Sequence, residues 1–134
     1  MPYVLNQAAN VMAIAECEWG TAGTIQFTQF TSCIGVLAKV AGANNVTGIH
    51  LVLIDGNGNS FSAADVPTVT GVLAAQGYDN TTCTIIGQIS AWQASAPGAY
   101  DALVAALNNP QTYPLADGTY GATITNGAIE LTFV

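Results

Sequence analysis

Apolar and polar residues alternate along TIQFTQFT, residues 24–31. Ile25, Phe27 and Gln29 fall on one face and Gln26, Thr28 and Phe30 on the other. A period of two is the signature of a strand. Two apolar runs rich in β-branched residues follow, CIGVLAKV at 33–40 and TGIHLVLID at 47–55, and both read as strands. The turn-like AGANN at 41–45 separates them. Upstream, NVMAIAECEW at 10–19 reads as a strand or as the end of a helix starting near Asn6, and GTAG at 20–23 as a turn.

Two strand–loop–helix units come next. In the first, GIHLVLID leads through GNGNSFSAA into a helix over 65–77. Asp65 suits its N-cap, Pro67 sits in the first turn where a missing N–H is harmless, and Gly77 closes it. In the second, CTIIGQISAW at 83–92 is a strand and SAPGAYDALVAALNN at 95–109 a helix, with Ser95 as cap, Pro97 in the first turn and Leu103, Val104 and Leu107 as the apolar stripe. The shared punctuation hints at an internal duplication. Residues 118–134 form a C-terminal β-hairpin turning at Asn126-Gly127. The sum is a single α+β domain spanning 1–134, α/β-like and layered: a mixed, mostly antiparallel β-sheet with two packed helices.

The 134 residues fit one domain and bury about two thirds of the unfolded surface, so no metal or disulfide staple is needed. Charge narrows the function classes. Charged residues make up 7% of the chain, net charge is −7, and Lys39 is the only cation. Nucleic acid, anionic membrane surfaces and phosphate-bearing substrates all call for several Lys or Arg, so they are poor partners. So few charges on a chain that is 51% apolar leave little to oppose self-association, which points to a homo-oligomer or a partner-covered surface. Cys17, Cys33 and Cys83 make no disulfide framework and no CxxC spacing, and neither cofactor nor metal is expected. The N-terminal segment lacks a basic region ahead of its apolar part and no apolar run reaches membrane-spanning length. A soluble cytoplasmic protein is the default, with export by a signal-less route as the alternative.

The chain's only histidine lies in the second of the paired strands. With a turn centred on Ala41-Gly42, opposed residues in an antiparallel hairpin have indices summing to 83. Cys33 then faces His50 and Gly35 faces Gly48, with opposed Cβ atoms about 5 Å apart. A thiol beside an imidazole is the pairing a cysteine nucleophile requires. A slip of one residue would break it. The two glycines leave room for a substrate to approach the backbone. The loop-like Thr31-Ser32 before Cys33 offers N–H groups for an oxyanion hole. The competing reading is bland: a buried cysteine packing as a small hydrophobe and a core histidine with one satisfied nitrogen.

FTSCIGVLAKVAGANNVTGIHLVLID, residues 30–55, resembles the active-site segment of the chemoreceptor glutamine deamidase CheD. More distantly, it is similar to the catalytic domain of the cytotoxic necrotizing factor toxins. The resemblance implies that Cys33 attacks the side-chain carboxamide of a glutamine in a protein or peptide. His50 would be its base, and the thioester would be hydrolysed by water. It also implies a threonine a few residues before the cysteine that orients the histidine. Thr28 is the nearest match, one position off the family's place, with Thr31 and Gln29 as alternatives. The charged docking surface usual in that family is missing here.

Ser32, Gly35, Gly48 and Gln88 are the candidate substrate contacts, Gln88 also as an orienter of His50. DGNGNS at 55–60 lacks the glycine and glutamate positions of a calcium loop and reads as a plain loop that lines the site. Cys83 reads as core, and Trp19, Trp92, Tyr100 and Tyr113 as core or interface aromatics. The alternative to a cysteine amidohydrolase is a non-catalytic, self-associating structural or binding protein with a low-charge surface.

Overall fold

The structure, a computed structural model, describes residues 2–134. Its strands are β1 (Asn6–Gln7), β2 (Glu18–Ala22), β3 (Thr24–Gln26), β4 (Ile34–Lys39), β5 (Val46–Leu51), β6 (Thr84–Gly87), β7 (Gln111–Pro114), β8 (Tyr120–Thr125) and β9 (Ala128–Phe133). Its helices are α1 (Val66–Ala75), α2 (Ile89–Ser95) and α3 (Pro97–Ala106), with a 3₁₀ turn at Ala63–Asp65. The larger sheet has six strands in the order β1-β2-β5-β4-β6-β7, and the smaller has three in the order β3-β8-β9. The outermost pairs of the large sheet, β1 with β2 and β6 with β7, are parallel and the rest antiparallel. The fold is thus the mixed α+β class read from the sequence.

Strands β4 and β5 occupy the middle of the large sheet and are buried on both faces almost throughout. That is why they read as continuous apolar runs rather than as alternation. β3 and β8 touch β5, and β9 touches β4, so the small sheet lies against this centre. Val69 and Leu73 of α1, Trp92 of α2 and Leu103 of α3 join the same core. Among the described residues no helix is long and apolar enough to cross a membrane.

Several expectations hold at the level of single residues. Ile25 and Phe27 are fully buried on one side of their strand. Pro67 sits in the first turn of α1, and Gly77 follows its C-cap in the left-handed region at φ +70°. Asn126 and Gly127 both have positive φ at the β8–β9 turn, as a two-residue primed turn demands.

Others are corrected. Residues 10–17 are irregular, and Gly20–Ala22 belong to β2 rather than to a turn. Phe30 is buried beside Phe27, because the strand ends before it and the chain turns. The strand expected over 83–92 stops at Gly87, whose φ of +114° breaks the extended run. Residues 89–95 then form α2, so three helices replace two. The cap of α3 is Ala96 rather than Ser95.

The β4–β5 register also differs from the expected one. Gly35 faces His50 and Leu37 faces Gly48, a sum of 85, because the turn centres on Gly42-Ala43, with Gly42 at φ +71°. Cys33 therefore sits diagonal to His50 instead of opposite it. A shift of two in the sum preserves the parity of each strand, so the two residues still share a face.

Gly35 and Gly48 do not open a substrate channel. A Cβ on Gly35 would lie 3.0 Å from the rings of Phe27 and Phe30. One on Gly48 would meet the Ile25 side chain and come within 2.9 Å of Phe27. The glycines form a slot that the small-sheet side fills with aromatic rings.

Two alanine substitutions separate this role from backbone entropy. Gly48→Ala overpacks the slot and is expected to destabilise the fold by about 1–3 kcal/mol. Gly71→Ala, in an exposed stretch of α1 with open space around it, is expected to stabilise by about 0.5–1 kcal/mol. Urea unfolding midpoints of the two variants against the parent check both signs.

Candidate active site

His50 lies in the fifth position of β5, with its ring 4.8 Å from that of Phe30 and 5.6 Å from that of Phe27. Its Nδ1 is 2.9 Å from the carbonyl oxygen of Ile14. A carbonyl only accepts, so Nδ1 carries the proton and donates, and Nε2 is left with a lone pair. That Nε2 is buried and has no hydrogen-bond partner among the described residues. Ile14 is pinned in turn: its N–H donates to the Gln26 carbonyl and its oxygen accepts the Thr28 N–H, each at 2.9 Å.

Cys33 follows a bend at Ser32, which adopts a left-handed φ of +56°. Ser32 is held there from two sides: its N–H donates to Asp117 Oδ1 at 2.8 Å, and its carbonyl accepts Trp92 Nε1–H at 3.1 Å. The Cys33 carbonyl accepts the Gln88 N–H at 3.0 Å, which ties the start of β4 to the end of β6. Sγ has two acceptors within reach of its single proton, the Thr31 carbonyl at 3.3 Å and Glu16 Oε2 at 3.8 Å. It also accepts the Thr31 N–H at 3.4 Å.

Sγ of Cys33, a carboxylate oxygen of Glu16 and a ring nitrogen of His50 all lie within 4.8 Å of one another. The fold thus brings together the two residues singled out in the sequence and adds a third that spacing did not reveal. Cys33 and His50 are both 0% exposed, whereas Glu16 is solvent-exposed. Glu16 also lines a cleft of about 390 Å³ with Cys17, Val52, Asp55 and Asn57. The DGNGNS loop shares that cleft with Glu16, but neither Cys33 nor His50 lines it. Asp55 itself is occupied in the loop turn, accepting the N–H groups of Asn57 and Asn59 at 2.9 and 2.8 Å.

The remaining candidates fall elsewhere. Thr28 orients His50 only through its main chain, by sharing the Ile14 oxygen. The group on Nδ1 is a backbone carbonyl, not a threonine hydroxyl. Gln88 caps α2 and sends its side chain to Asp117 at 3.2 Å, away from His50. Ser32 flanks the thiol but spends its N–H on Asp117, so it is not an oxyanion donor in this arrangement. Cys83 and Trp92 are core, and Tyr113 is 42% exposed.

Electrostatics set the resting protonation. Burial pushes the Cys33 thiol up to about 11. The Thr31 hydrogen bond works against that rise, and the nearby Glu16 and Asp117 carboxylates add to it. Burial lowers His50 below its ordinary value, against the opposing pull of the Ile14 hydrogen bond and of Glu16 and Glu18. At neutral pH the pair is a thiol and a neutral imidazole. It rests uncharged rather than separated into ions, and the thiol proton's acceptors in this arrangement are the Thr31 carbonyl and Glu16, not the ring.

Both shifts link stability to pH. The unfolded chain binds a proton on His50 that the native state resists, so stability is full above pH ~6.5 and declines as pH falls below it. For Cys33 the native thiol is held up to about 11, so its contribution is full below the unfolded value near 9 and is lost between there and 11. His50→Gln is expected to flatten the acid limb in thermal melts recorded from pH 5 to 11, and Cys33→Ala to make the alkaline limb shallower, the rest of that limb belonging to groups such as Cys83, which burial also pushes up to about 11. No protein-family model and no curated protein matches this chain.

Proposed function

We propose that the chain is a cysteine amidohydrolase of the glutamine-deamidase type, acting on a protein or peptide carboxamide. The observation that carries this reading is the cluster in which a ring nitrogen of His50 lies within 4.8 Å of Cys33 Sγ, with the ring's Nε2 buried and unpartnered and its tautomer fixed by the Ile14 carbonyl. The resemblance of residues 30–55 to the CheD active-site segment adds to it.

In this reading Sγ attacks the carboxamide carbon as its proton passes to Nε2. The imidazolium returns that proton to the departing nitrogen, and ammonia leaves. Water then attacks the thioester, giving one proton to Nε2, and the thiol is restored as the carboxylate product departs. For the oxyanion, the Cys33 N–H is a free candidate donor, since no backbone acceptor for it occurs among the described residues. Because the thiol and ring are fully buried, the carboxamide reaches them only after neighbouring side chains move, and the exposed Glu16 is the cluster member free to do so. Three unpaired thiols suit a reducing cytoplasm.

A second reading, self-association without catalysis, has its own observation. Edge strand β7 is exposed along all four residues. Beside it Tyr113, Ile129, Leu131 and Phe133 line a groove of about 530 Å³, with Phe133 64% exposed. A second copy of this chain is the occupant its low charge favours. A molar mass by light scattering that stays monomeric at high concentration removes this reading.

Cys83 supplies an internal control for the enzyme. It too is buried and pushed up to about 11, but it is not part of the Cys33–His50 cluster. In the native protein at pH 7.5, iodoacetamide is expected to label Cys33 at least tenfold faster than Cys83, as read by peptide mass spectrometry. His50→Gln should remove that advantage, since a positioned base contributes about 10²–10⁴. Glutamine-containing peptides should release ammonia with a matching mass gain, and Cys33→Ser should abolish it. Equal labelling of the two cysteines would overturn the proposal.

A further inference from the structure

The same three side chains have a second chemistry. We infer that Glu16, Cys33 and His50 form a site for one thiophilic divalent cation of the zinc type, and that filling it blocks the thiol. A thiolate, an imidazole and a carboxylate are together the donor set of zinc-like ions, whereas calcium and magnesium take oxygen.

The geometry needs little adjustment. Metal–ligand bonds of about 2.0–2.3 Å at tetrahedral angles put donor atoms about 3.3–3.8 Å apart. The three donors already lie within 4.8 Å of one another, and Glu16 Oε2 is 3.8 Å from Sγ. Glu16 is already within that range of Sγ, so the last ~1 Å lies toward the His50 nitrogen and is closed by small rotations of the Cys33 and Glu16 side chains.

Two features beyond the cluster point to a ligand. His50 Nε2 is a buried acceptor with nothing to accept from among the described residues, a costly state for a polar atom in a protein core. Its other nitrogen donates to the Ile14 carbonyl, and that outer hydrogen bond is the one that metal-binding histidines almost always make. Charge also balances. On binding, the Cys33 S–H gives its proton to solvent as the metal–sulfur bond forms. Thiolate and Glu16 carboxylate then offset the two positive charges, so the buried site takes on no net charge. Three protein donors leave a fourth position for water. Cys17 lies one residue from Glu16, but its sulfur is not part of the cluster.

Cobalt(II) added to the reduced, chelator-treated full chain tests the site. A thiolate-to-cobalt band in the near ultraviolet, saturating at one equivalent and displaced by zinc, is expected. Cys33→Ser should abolish the band and Cys17→Ser should leave it. Glu16→Gln, a change at an exposed side chain, and His50→Gln should each weaken binding by at least about 10-fold, the lower end of what loss of an outer hydrogen-bond partner alone costs. Zinc loading should stop alkylation of Cys33 and leave the slower rate of Cys83 unchanged. Absence of the band at one equivalent, or its survival in Cys33→Ser, overturns the site. Because the readout is spectroscopic, that failure is distinct from a failure to hydrolyse carboxamides in the metal-free protein.

Discussion

The carbonyl oxygen of Ile14 is where the local architecture closes. It accepts the Thr28 N–H from the segment after β3 and the Nδ1–H of His50 from the middle of the large sheet, both at 2.9 Å. One backbone atom thereby sets the position of the irregular segment that carries Glu16 and the tautomer of a buried imidazole. Without it the ring would hold two unsatisfied nitrogens in the core, and each such group costs about 1–3 kcal/mol. The glycine slot serves the same end: Phe27 and Phe30 enter over Gly35 and Gly48 and pack against the ring, leaving it no alternative rotamer space.

Parity explains which part of this was legible in the sequence. That Cys33 and His50 share a face follows from the even–odd pattern of two adjacent strands, and it survives an error of two in the register sum. The register itself depends on where the six-residue connection between Lys39 and Val46 bends, and neither residue pattern nor propensity fixes that. The QISAW stretch has strand composition, yet Gly87 interrupts it and Trp92 turns back to bond Ser32. The partner of His50 was sought among side chains because sequence displays only side chains. A main-chain carbonyl has no letter of its own. Glu16 was hidden for a related reason: it sits in an irregular segment whose path is dictated by Ile14, not by any period. Asp117 likewise reaches Ser32 and Gln88 across 85 and 29 positions.

The scarcity of charge shapes the chemistry as much as the surface. Lys39, the only cation, lies six residues along from Cys33, about 20 Å on an extended strand and well beyond the ~8 Å screening length at physiological salt. The carboxylates near the thiol, Glu16 and Asp117, oppose its ionisation. A lowered thiol pKa, the usual route to a reactive cysteine, is therefore closed. Near neutral pH two routes to a thiolate are left: the proton goes to His50, the neutral base of the cluster, or a positive ion arrives from outside. Transfer to His50 makes a nucleophile, and a bound divalent ion makes a ligand that can no longer attack. The amidohydrolase reading and the metal site are thus alternative answers to one constraint, a buried thiol with a neutral imidazole beside it and no fixed positive charge. Glu16 enters both readings through its carboxylate, which raises the cost of the free thiolate in the first and would be a ligand in the second.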